Sequence, residues 1–184
     1  MNDWSGKKIR LRGIEPEDYA FFYEWNLDTE TARNLAWLWF PTSEASVKAW
    51  AQAESLKKGE GDEYFFVIET LAGEPVGSIS SNTLSRVDGS FRYGVAIIES
   101  ARRKGYAREA IFLFLNYFFN ELRYHKVNAA VYDFNVGSIV LHDKLGFQRE
   151  GRLRAVKYSR GRHWDVVLFG MTRAEFNDKM DRGG

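Results

Sequence analysis

Three basic residues and a glycine stand together in the run Arg102-Arg103-Lys104-Gly105-Tyr106-Ala107. The run follows a strand-like segment and precedes residues whose apolar side chains recur every three or four positions, so it joins a strand to a helix. A helix N-terminus carries roughly half a positive charge and several unpaired N–H groups, and a glycine lets the backbone approach an anion closely. The run therefore predicts a phosphate-binding loop, against the alternative of an ordinary solvated loop.

A histidine lies in a second polar pattern, Asn135-x-x-Ser138-x-x-Leu141-His142-Asp143-Lys144-Leu145-Gly146-Phe147. An imidazole titrates near pH 6.5, so His142 can donate or accept a proton at neutral pH. His142 is therefore the first candidate for a catalytic side chain, with a helix-surface histidine as the alternative. Asn135 stands where a helix begins and Gly146 where it ends, so capping alone is the alternative role for Asn135.

The composition excludes several kinds of site. The chain contains no cysteine, which rules out disulfides, thiolate metal sites and cysteine nucleophiles. Lys and Arg total 26 against 25 for Asp and Glu, so no overall basic field favours nucleic acid or an anionic membrane. Neither a Walker phosphate loop nor a three-glycine dinucleotide fingerprint is present. No apolar stretch resembles a signal peptide, and we expect a cytoplasmic protein without a metal, nucleic-acid or membrane partner.

The elements that must position these residues follow from periodicity and turn residues. Apolar side chains at three- and four-residue spacing predict a long helix from Ala107 to Leu122. Other helices are predicted from Pro16, from Thr42 or Ser43, over Val136–Leu145 and in the tail Thr172–Met180. The predicted strands are Lys8–Arg12, Tyr64–Ile68, Val76–Ile79, Phe91–Ile98, Val127–Tyr132, Arg152–Tyr158 and Trp164–Met171.

Helices that cross between strands, combined with hairpins, predict an α/β fold with a mixed sheet covered by helices on both faces. The 184 residues, 45% of them hydrophobic, fit one compact domain over 1–184. Four consecutive large apolar residues, Trp37-Leu38-Trp39-Phe40, cannot all face one side of a helix. They are candidates for an acceptor cleft or a subunit contact, and a core segment is the alternative.

The two polar patterns, in this order along the chain, resemble the cofactor site of the GNAT superfamily of N-acetyltransferases. Arg102-x-x-Gly105-x-Ala107 is similar to the loop that binds the acyl-CoA pyrophosphate, and the pattern from Asn135 to Phe147 to the second half of that site. Glu150-Gly151 and Gly161–Asp165 extend the resemblance to the branch of RimJ/RimL-type N-terminal and spermidine acetyltransferases. The resemblance covers about 8–171 and implies a mostly antiparallel sheet that splays between its fourth and fifth strands.

This resemblance implies acetyl-CoA as co-substrate and a primary amine as acceptor, with the pantetheine arm between the splayed strands. Asn135 would bond that arm, Ser138 would help to hold it, and backbone groups near Ile97 and Ile98 would line the thioester. The complete set of implied cofactor residues is Ile97, Ile98, Arg102, Arg103, Lys104, Gly105, Tyr106, Ala107, Asn135, Ser138 and Lys144. The leading acceptors are a protein N-terminal α-amine or a small aminoacyl-like amine, and a homodimer is a further expected partner.

The sequence departs from relatives at two positions. Many relatives carry a tyrosine as the acid where this chain has His142, which could protonate the leaving sulfur or relay the proton of the amine. Arg92 stands where a carboxylate is frequent, which weakens a polyamine acceptor. Tyr93, Tyr132 and Asp133 are further candidates for a base by position. Polyamine or aminoglycoside acetylation and a non-catalytic acyl-CoA-binding module stay open as alternative functions.

Overall fold

The structure is a computed structural model that describes residues 2–35, 38 and 40–181. Within these residues it contains seven strands and six α-helices. The strands are β1 Ile9–Arg12, β2 Phe65–Thr70, β3 Pro75–Ser85, β4 Ser90–Ile97, β5 Lys126–Tyr132, β6 Gln148–Ser159 and β7 Arg162–Thr172. The helices are α1 Tyr19–Asn26, α2 Thr29–Leu35, α3 Glu44–Ser55, α4 Tyr106–Asn116, α5 Val136–Leu145 and α6 Arg173–Asp181.

The chain divides into two compact units. The first contains Met1–Ser81 and Gly94–Phe114, and the second contains Asn82–Tyr93 and Leu115–Gly184. Strands β3 and β4 each supply residues to both units. The strand order is β1-β2-β3-β4 in the first unit and β3-β4-β5-β7-β6 in the second.

The first unit pairs β1 with β2 and β2 with β3, both antiparallel. Its core holds α1 and α3 against the sheet through five buried residues: Ile14, Phe22, Val47, Ala51 and Val67. Trp50 meets Phe22 edge to face, with ring centroids 5.0 Å apart. At the edge of this core Arg12 forms a two-pronged ion pair with Asp18, at 2.7 and 2.8 Å. These contacts hold β1 in place, and the residue directly before it, Lys8, belongs to the site described below.

The second unit contains a parallel pairing, between β4 and β5. It covers Ser90–Arg92 and Lys126–Asn128, the first three residues of each strand, whereas β4 continues to Ile97 and β5 to Tyr132. Strand β7 pairs antiparallel with both β5 and β6. The predicted α/β class is confirmed: the sheet is mixed, mostly antiparallel, and the described pairing of the fourth and fifth strands is limited to one end.

The predicted long helix over Ala107–Leu122 is present, but its second part has a different geometry. The α-helix α4 ends at Asn116, and a π-helical turn follows over Tyr117–Glu121. Phe118 and Phe119 are both fully buried in that turn. Two consecutive aromatic residues point to one side more readily when the helix widens, which periodicity at 3.6 residues per turn does not anticipate.

Two further features of the helices depend on polar residues: the presence of α2 and the start of α3. Helix α2 was not predicted as a separate element because its sequence, TETARNL, has no apolar period; the cap at Asp28, which accepts from the Thr31 N–H at 3.0 Å, starts it instead. Of the two predicted caps for α3, Ser43 is the one used, by the Ser46 N–H at 3.2 Å. Trp37 and Trp39 lie outside the described residues, and Phe40 is 93% exposed.

Candidate functional site

The basic run predicted to bind phosphate forms the turn between β4 and α4, in the first unit, and is called the donor loop here (residues 102–107). Gly105 has φ +88° and Arg103 φ +64°, both in the left-handed region. The Glu109 N–H donates to the Gly105 carbonyl oxygen at 3.2 Å, so α4 begins directly after the glycine. Arg103, Lys104 and Gly105 are exposed. The loop therefore presents cations and the first N–H groups of a helix to solvent, as an anion site requires.

Lys8, at the start of the chain, reaches the donor loop and was not predicted from the sequence. Its Nζ donates to the carbonyl oxygen of Lys104 at 2.9 Å. Glu109, in the first turn of α4, accepts from the backbone N–H groups of Lys7 and Lys8, the latter at 3.1 Å. About a hundred residues separate these partners along the chain, so only the folded sheet brings them together.

Arg102 is bound to its own unit on two sides. Its Nε donates to the Ile97 carbonyl oxygen at 3.1 Å, and its Nη2 donates to Thr31 Oγ1 at 2.6 Å. The hydroxyl of Thr31 in turn bonds the Asp28 carboxylate that caps α2. Burial alone would raise the pKa of Asp28, but hydrogen bonds from Thr31 and Glu30 hold it below its ordinary value. The guanidinium thus connects the donor loop to α2 through a charged network.

The backbone predicted to line the thioester lies at the end of β4. Ile97 is buried and its carbonyl oxygen accepts the Arg102 bond. The Ile98 N–H donates to the Val76 carbonyl oxygen at 3.0 Å, which extends the β3–β4 pairing by one residue. Both groups therefore have partners inside the first unit.

The second polar pattern forms α5, in the second unit. Asn135 caps the helix, with its Oδ1 accepting from the Ser138 N–H at 3.1 Å. Capping uses the oxygen of this amide, whereas a bond to a pantetheine carbonyl would use the NH2 group, so the two predicted roles are compatible. Lys144 is exposed in the last turn, and Gly146 ends the helix with φ +83°.

His142 is buried inside the second unit, where the sequence alone left a surface position open. Only 3% of the residue is exposed, and its Nε2 lies 2.8 Å from the Tyr93 hydroxyl. Its Nδ1 lies 2.7 Å from the Ser138 carbonyl oxygen, a group that can only accept. We therefore assign the proton to Nδ1, which makes Nε2 the acceptor of the Tyr93 O–H.

The environment of this pair keeps both groups neutral. Burial lowers the pKa of His142, and the Ser138 carbonyl and the nearby Asp143 offset this only in part. Burial also raises the pKa of the Tyr93 phenol. Tyr93 directly follows Arg92, the last residue of β4 paired with β5. Tyr93 was named from sequence only as one of several positional candidates, because its hydrogen bond to His142 depends on the packing of β4 against α5.

A cleft of about 550 Å³ lies in the first unit between α1 and the segment after β4. Its described lining combines two aromatic residues, three carboxylates and no basic side chain: Phe21, Glu24, Trp25, Asp28, Ile98, Glu99 and Ser100. Glu24 and Glu99 are exposed, whereas Asp28 is engaged in capping α2. A cleft with aromatic walls and a carboxylate rim can hold a protonated amine.

The part of the chain that the structure describes contains neither a cluster of metal-ligating side chains nor a membrane-spanning helix. Across residues 2–35, 38 and 40–181, His, Asp and Glu side chains form no group of three that could hold a metal ion. In the same residues no helix is long and apolar enough to cross a membrane.

Comparisons with known proteins identify the family of the chain. The sequence profile of a family described as "Acetyltransferase (GNAT) domain" matches residues 8–148. An SPbeta prophage-derived uncharacterized N-acetyltransferase, YokL of Bacillus subtilis, is 43% identical over 94% of this chain and 94% of its own length. The spermidine N(1)-acetyltransferase of Vibrio cholerae is 26% identical over 95% of this chain and 98% of its own length.

Solved structures reproduce the fold. A crystal structure of spermidine N-acetyltransferase from Vibrio cholerae in complex with CoA and spermine has a TM-score of 0.81 and covers 94% of this chain and 99% of that one, at 21% identity. A GNAT-family acetyltransferase from Bacillus anthracis has a TM-score of 0.78, covering 93% of this chain and 98% of that one, at 20% identity.

Proposed function

The chain belongs to the GNAT acetyltransferase family, and from this premise we propose how it transfers the acetyl group of acetyl-CoA to a primary amine. The observation that carries the proposal is the donor loop. It offers exposed cations, a left-handed glycine and the N-terminus of α4 to an anion. Acetyl-CoA carries a pyrophosphate, which such a loop binds through backbone N–H groups and charge. Asn135, Ser138 and Lys144, to which the resemblance gives cofactor contacts, stay proposed cofactor residues.

We propose that Tyr93 and His142, called the relay pair here, move the proton of the acceptor. An alkylammonium has a reference pKa of about 10 and cannot attack a thioester until it loses a proton. In the relay, the ammonium proton passes to the Tyr93 oxygen while the Tyr93 proton passes to His142 Nε2. The Nδ1–H bond to the Ser138 carbonyl stays in place and stabilises the resulting imidazolium.

The remaining steps return the relay to its first state. The neutral amine attacks the thioester carbonyl, and the nitrogen of the tetrahedral intermediate releases a second proton to solvent. The intermediate then collapses, and the carbon–sulfur bond breaks with its electron pair on sulfur. The imidazolium then gives its Nε2 proton back to Tyr93, whose own proton goes to the thiolate. Products are the acetylated amine and CoA thiol, and no group on the enzyme is consumed. Because the pKa of His142 is lowered, the relay is ready to accept a proton throughout the neutral range.

The acidic cleft is the proposed acceptor site. It is lined by Ile98, which the resemblance places at the thioester, and its carboxylates attract the ammonium form of the amine. A protein N-terminal α-amine or a small aminoacyl-like amine fits this chemistry. Polyamines are the second candidate. In the sequence, Arg92 argued against a polyamine acceptor, but the carboxylates of this cleft favour one. The Vibrio cholerae relatives named for spermidine support that candidate as analogy only.

The test is thiol release from acetyl-CoA over a panel of peptides with different N-termini, amino acids, polyamines and aminoglycosides, with the mass of each product checked. We expect release that depends on the acceptor and a product heavier by one acetyl group. To test the acceptor cleft, the same assay is run on Glu24→Gln and Glu99→Gln. Each variant should raise the KM of a cationic acceptor severalfold and leave the KM of acetyl-CoA unchanged. Tight acetyl-CoA binding without transfer to any amine in the panel would favour the non-catalytic binding module instead.

A further inference from the structure

Lys8 brings a cation to the donor loop from a distant part of the chain. Its ammonium lies 2.9 Å from the Lys104 carbonyl oxygen and 3.3 Å from the point where a Cβ on Gly105 would stand. Gly105 is the residue directly before α4, so the ammonium is beside the N-terminus of that helix. The charge of the lysine and the positive end of the helix dipole therefore act at the same place.

Helix α4 also holds the backbone of Lys8 in place. Glu109, on the first turn of α4, accepts the N–H groups of Lys7 and Lys8, the latter at 3.1 and 3.3 Å from its two oxygens. These bonds dock the residues directly before β1 on α4 and hold the backbone from which the side chain of Lys8 extends.

Arg102, to which the resemblance gives the first place in the loop, is differently placed. Its guanidinium donates to the Ile97 carbonyl oxygen and to Thr31 Oγ1, and both bonds lie on the protein side. Lys8 has its ammonium on a backbone carbonyl of the loop itself, and a lysine ammonium keeps two more N–H donors for a ligand. A charge beside the helix N-terminus thus comes from the residue directly before β1, outside the family pattern.

We infer that Lys8 is a cofactor-binding residue that pairs with the pyrophosphate of acetyl-CoA. The inference rests on the proposed function, because it takes the donor loop as the pyrophosphate site. Lys8 acts on binding only: it neutralises phosphate charge and contacts no atom that reacts. A lysine acts here as a point charge, so the effect follows charge more than shape.

The experiment compares Lys8→Gln and Lys8→Arg with Lys7→Gln, a matched control in which the neighbouring exposed lysine loses its charge while the backbone bonds to Glu109 remain. Each variant is assayed with acetyl-CoA, with acetyl-dephospho-CoA, which keeps the pyrophosphate but lacks the 3′-phosphate, and with S-acetylpantetheine, which has no phosphate. We expect Lys8→Gln to raise the KM for the first two donors about tenfold, as for one charge-assisted bond. Its kcat, and its kcat/KM with S-acetylpantetheine, should stay within about twofold of wild type.

Three outcomes would overturn the inference. An unchanged KM for acetyl-CoA means that Lys8 does not pair with the donor, and an equal loss with S-acetylpantetheine means that its role is structural. A loss with acetyl-CoA but not with acetyl-dephospho-CoA assigns Lys8 to the 3′-phosphate. Rescue by Lys8→Arg supports a charge role.

Calorimetric titration of CoA into the same variants separates this inference from the enzymatic activity. Weaker CoA binding by Lys8→Gln alone would support the cofactor role of Lys8 even if no acceptor in the panel were acetylated. Equal CoA affinity in wild type, Lys8→Gln and Lys7→Gln would reject it.

Discussion

The donor loop and the relay pair use polar side chains in opposite ways. In the donor loop Arg103, Lys104 and Gly105 are exposed, and the Lys8 ammonium rests on a backbone carbonyl. In the relay pair the polar atoms are buried and bonded to each other: His142 is 3% exposed and Tyr93 8%. One region keeps its charge in solvent, and the other keeps its groups neutral by burial.

This difference predicts a division of labour in the kinetics. In the proposed function, exposed cations and helix N–H groups would interact with phosphates that do not react, so they would stabilise the bound donor and the transition state equally and act on KM. A buried, neutral pair that exchanged protons would act only while bonds change, so it would act on kcat.

The largest effect is expected from His142→Phe. Loss of the proton acceptor should lower kcat about 100-fold, near the lower end of what general acid–base catalysis contributes, with the KM of acetyl-CoA within about twofold. Tyr93→Phe should give the same direction because it breaks the relay at its outer end. The control is His163→Phe on β7, an exposed histidine. A His142→Phe enzyme with the kcat and pH profile of wild type would show that the imidazole is structural.

The next largest effect is expected from Gly105→Ala. Left-handed backbone costs an alanine roughly 1–2 kcal/mol, and the new Cβ would stand 3.3 Å from Lys8 Nζ. The KM for acetyl-CoA should rise about 30-fold, with kcat within about threefold, because the loop loses its shape. Gly73→Ala is a matched control, with φ +90° in the β2–β3 turn and no atom within 4 Å of its Cβ. If both variants bound acetyl-CoA equally well, the loop would not be the phosphate site.

Salt should separate the two regions in the unmodified protein. Raising the salt from about 0.05 to 0.5 M shortens the Debye length severalfold and screens exposed charges far more than buried neutral groups. The KM for acetyl-CoA should therefore rise severalfold while kcat changes by less than about twofold. Initial rates at several donor concentrations measure both. A kcat that fell with the KM unchanged would contradict the assignment.

The smallest effect concerns stability. Because burial lowers the pKa of His142 in the folded state, the unfolded chain takes up a proton near pH 6.5 before the folded protein does. Stability should thus decrease as the pH falls below about 6.5, and His142→Gln should flatten this decrease. Urea unfolding from pH 5 to 8 measures it. Equal slopes for the variant and wild type would mean that His142 is not buried in its neutral form.

The conformation of the donor loop was easier to predict from the sequence than that of the relay pair, for a physical reason. The loop is a short local run, so the order of Arg103, Lys104 and Gly105 before a helix was enough to predict it. Its binding of phosphate stays a prediction. The sequence could not predict the long-range contacts. Lys8 meets the loop only in the folded chain. Thr31, the partner of Arg102, lies in a helix whose polar sequence gives no apolar period. The burial of His142 likewise depends on the packing of α5 against β4.

The same contrast applies to the fold. Runs of apolar and β-branched residues predicted β4 and β5 to within about a residue, and the end residues Asn135 and Gly146 did the same for α5. The π-helical turn after α4 and the extension of β6 to Gln148–Ser159 were not predicted. Strand β6 is exposed along most of its length and pairs with β7 across two register shifts, so hydrogen bonding rather than an apolar pattern extends it. The homodimer and the cytoplasmic location stay predictions.

Calorimetric titration of acetyl-CoA into wild type, Gly105→Ala and His142→Phe, with kcat measured on the same preparations, separates donor binding by the loop from proton transfer by the relay pair. We expect wild type and His142→Phe to bind acetyl-CoA with affinities within about twofold and Gly105→Ala to bind at least tenfold more weakly, whereas only His142→Phe should lose kcat strongly. Failure of wild type to bind acetyl-CoA, or loss of donor affinity in His142→Phe with Gly105→Ala unaffected, would contradict it.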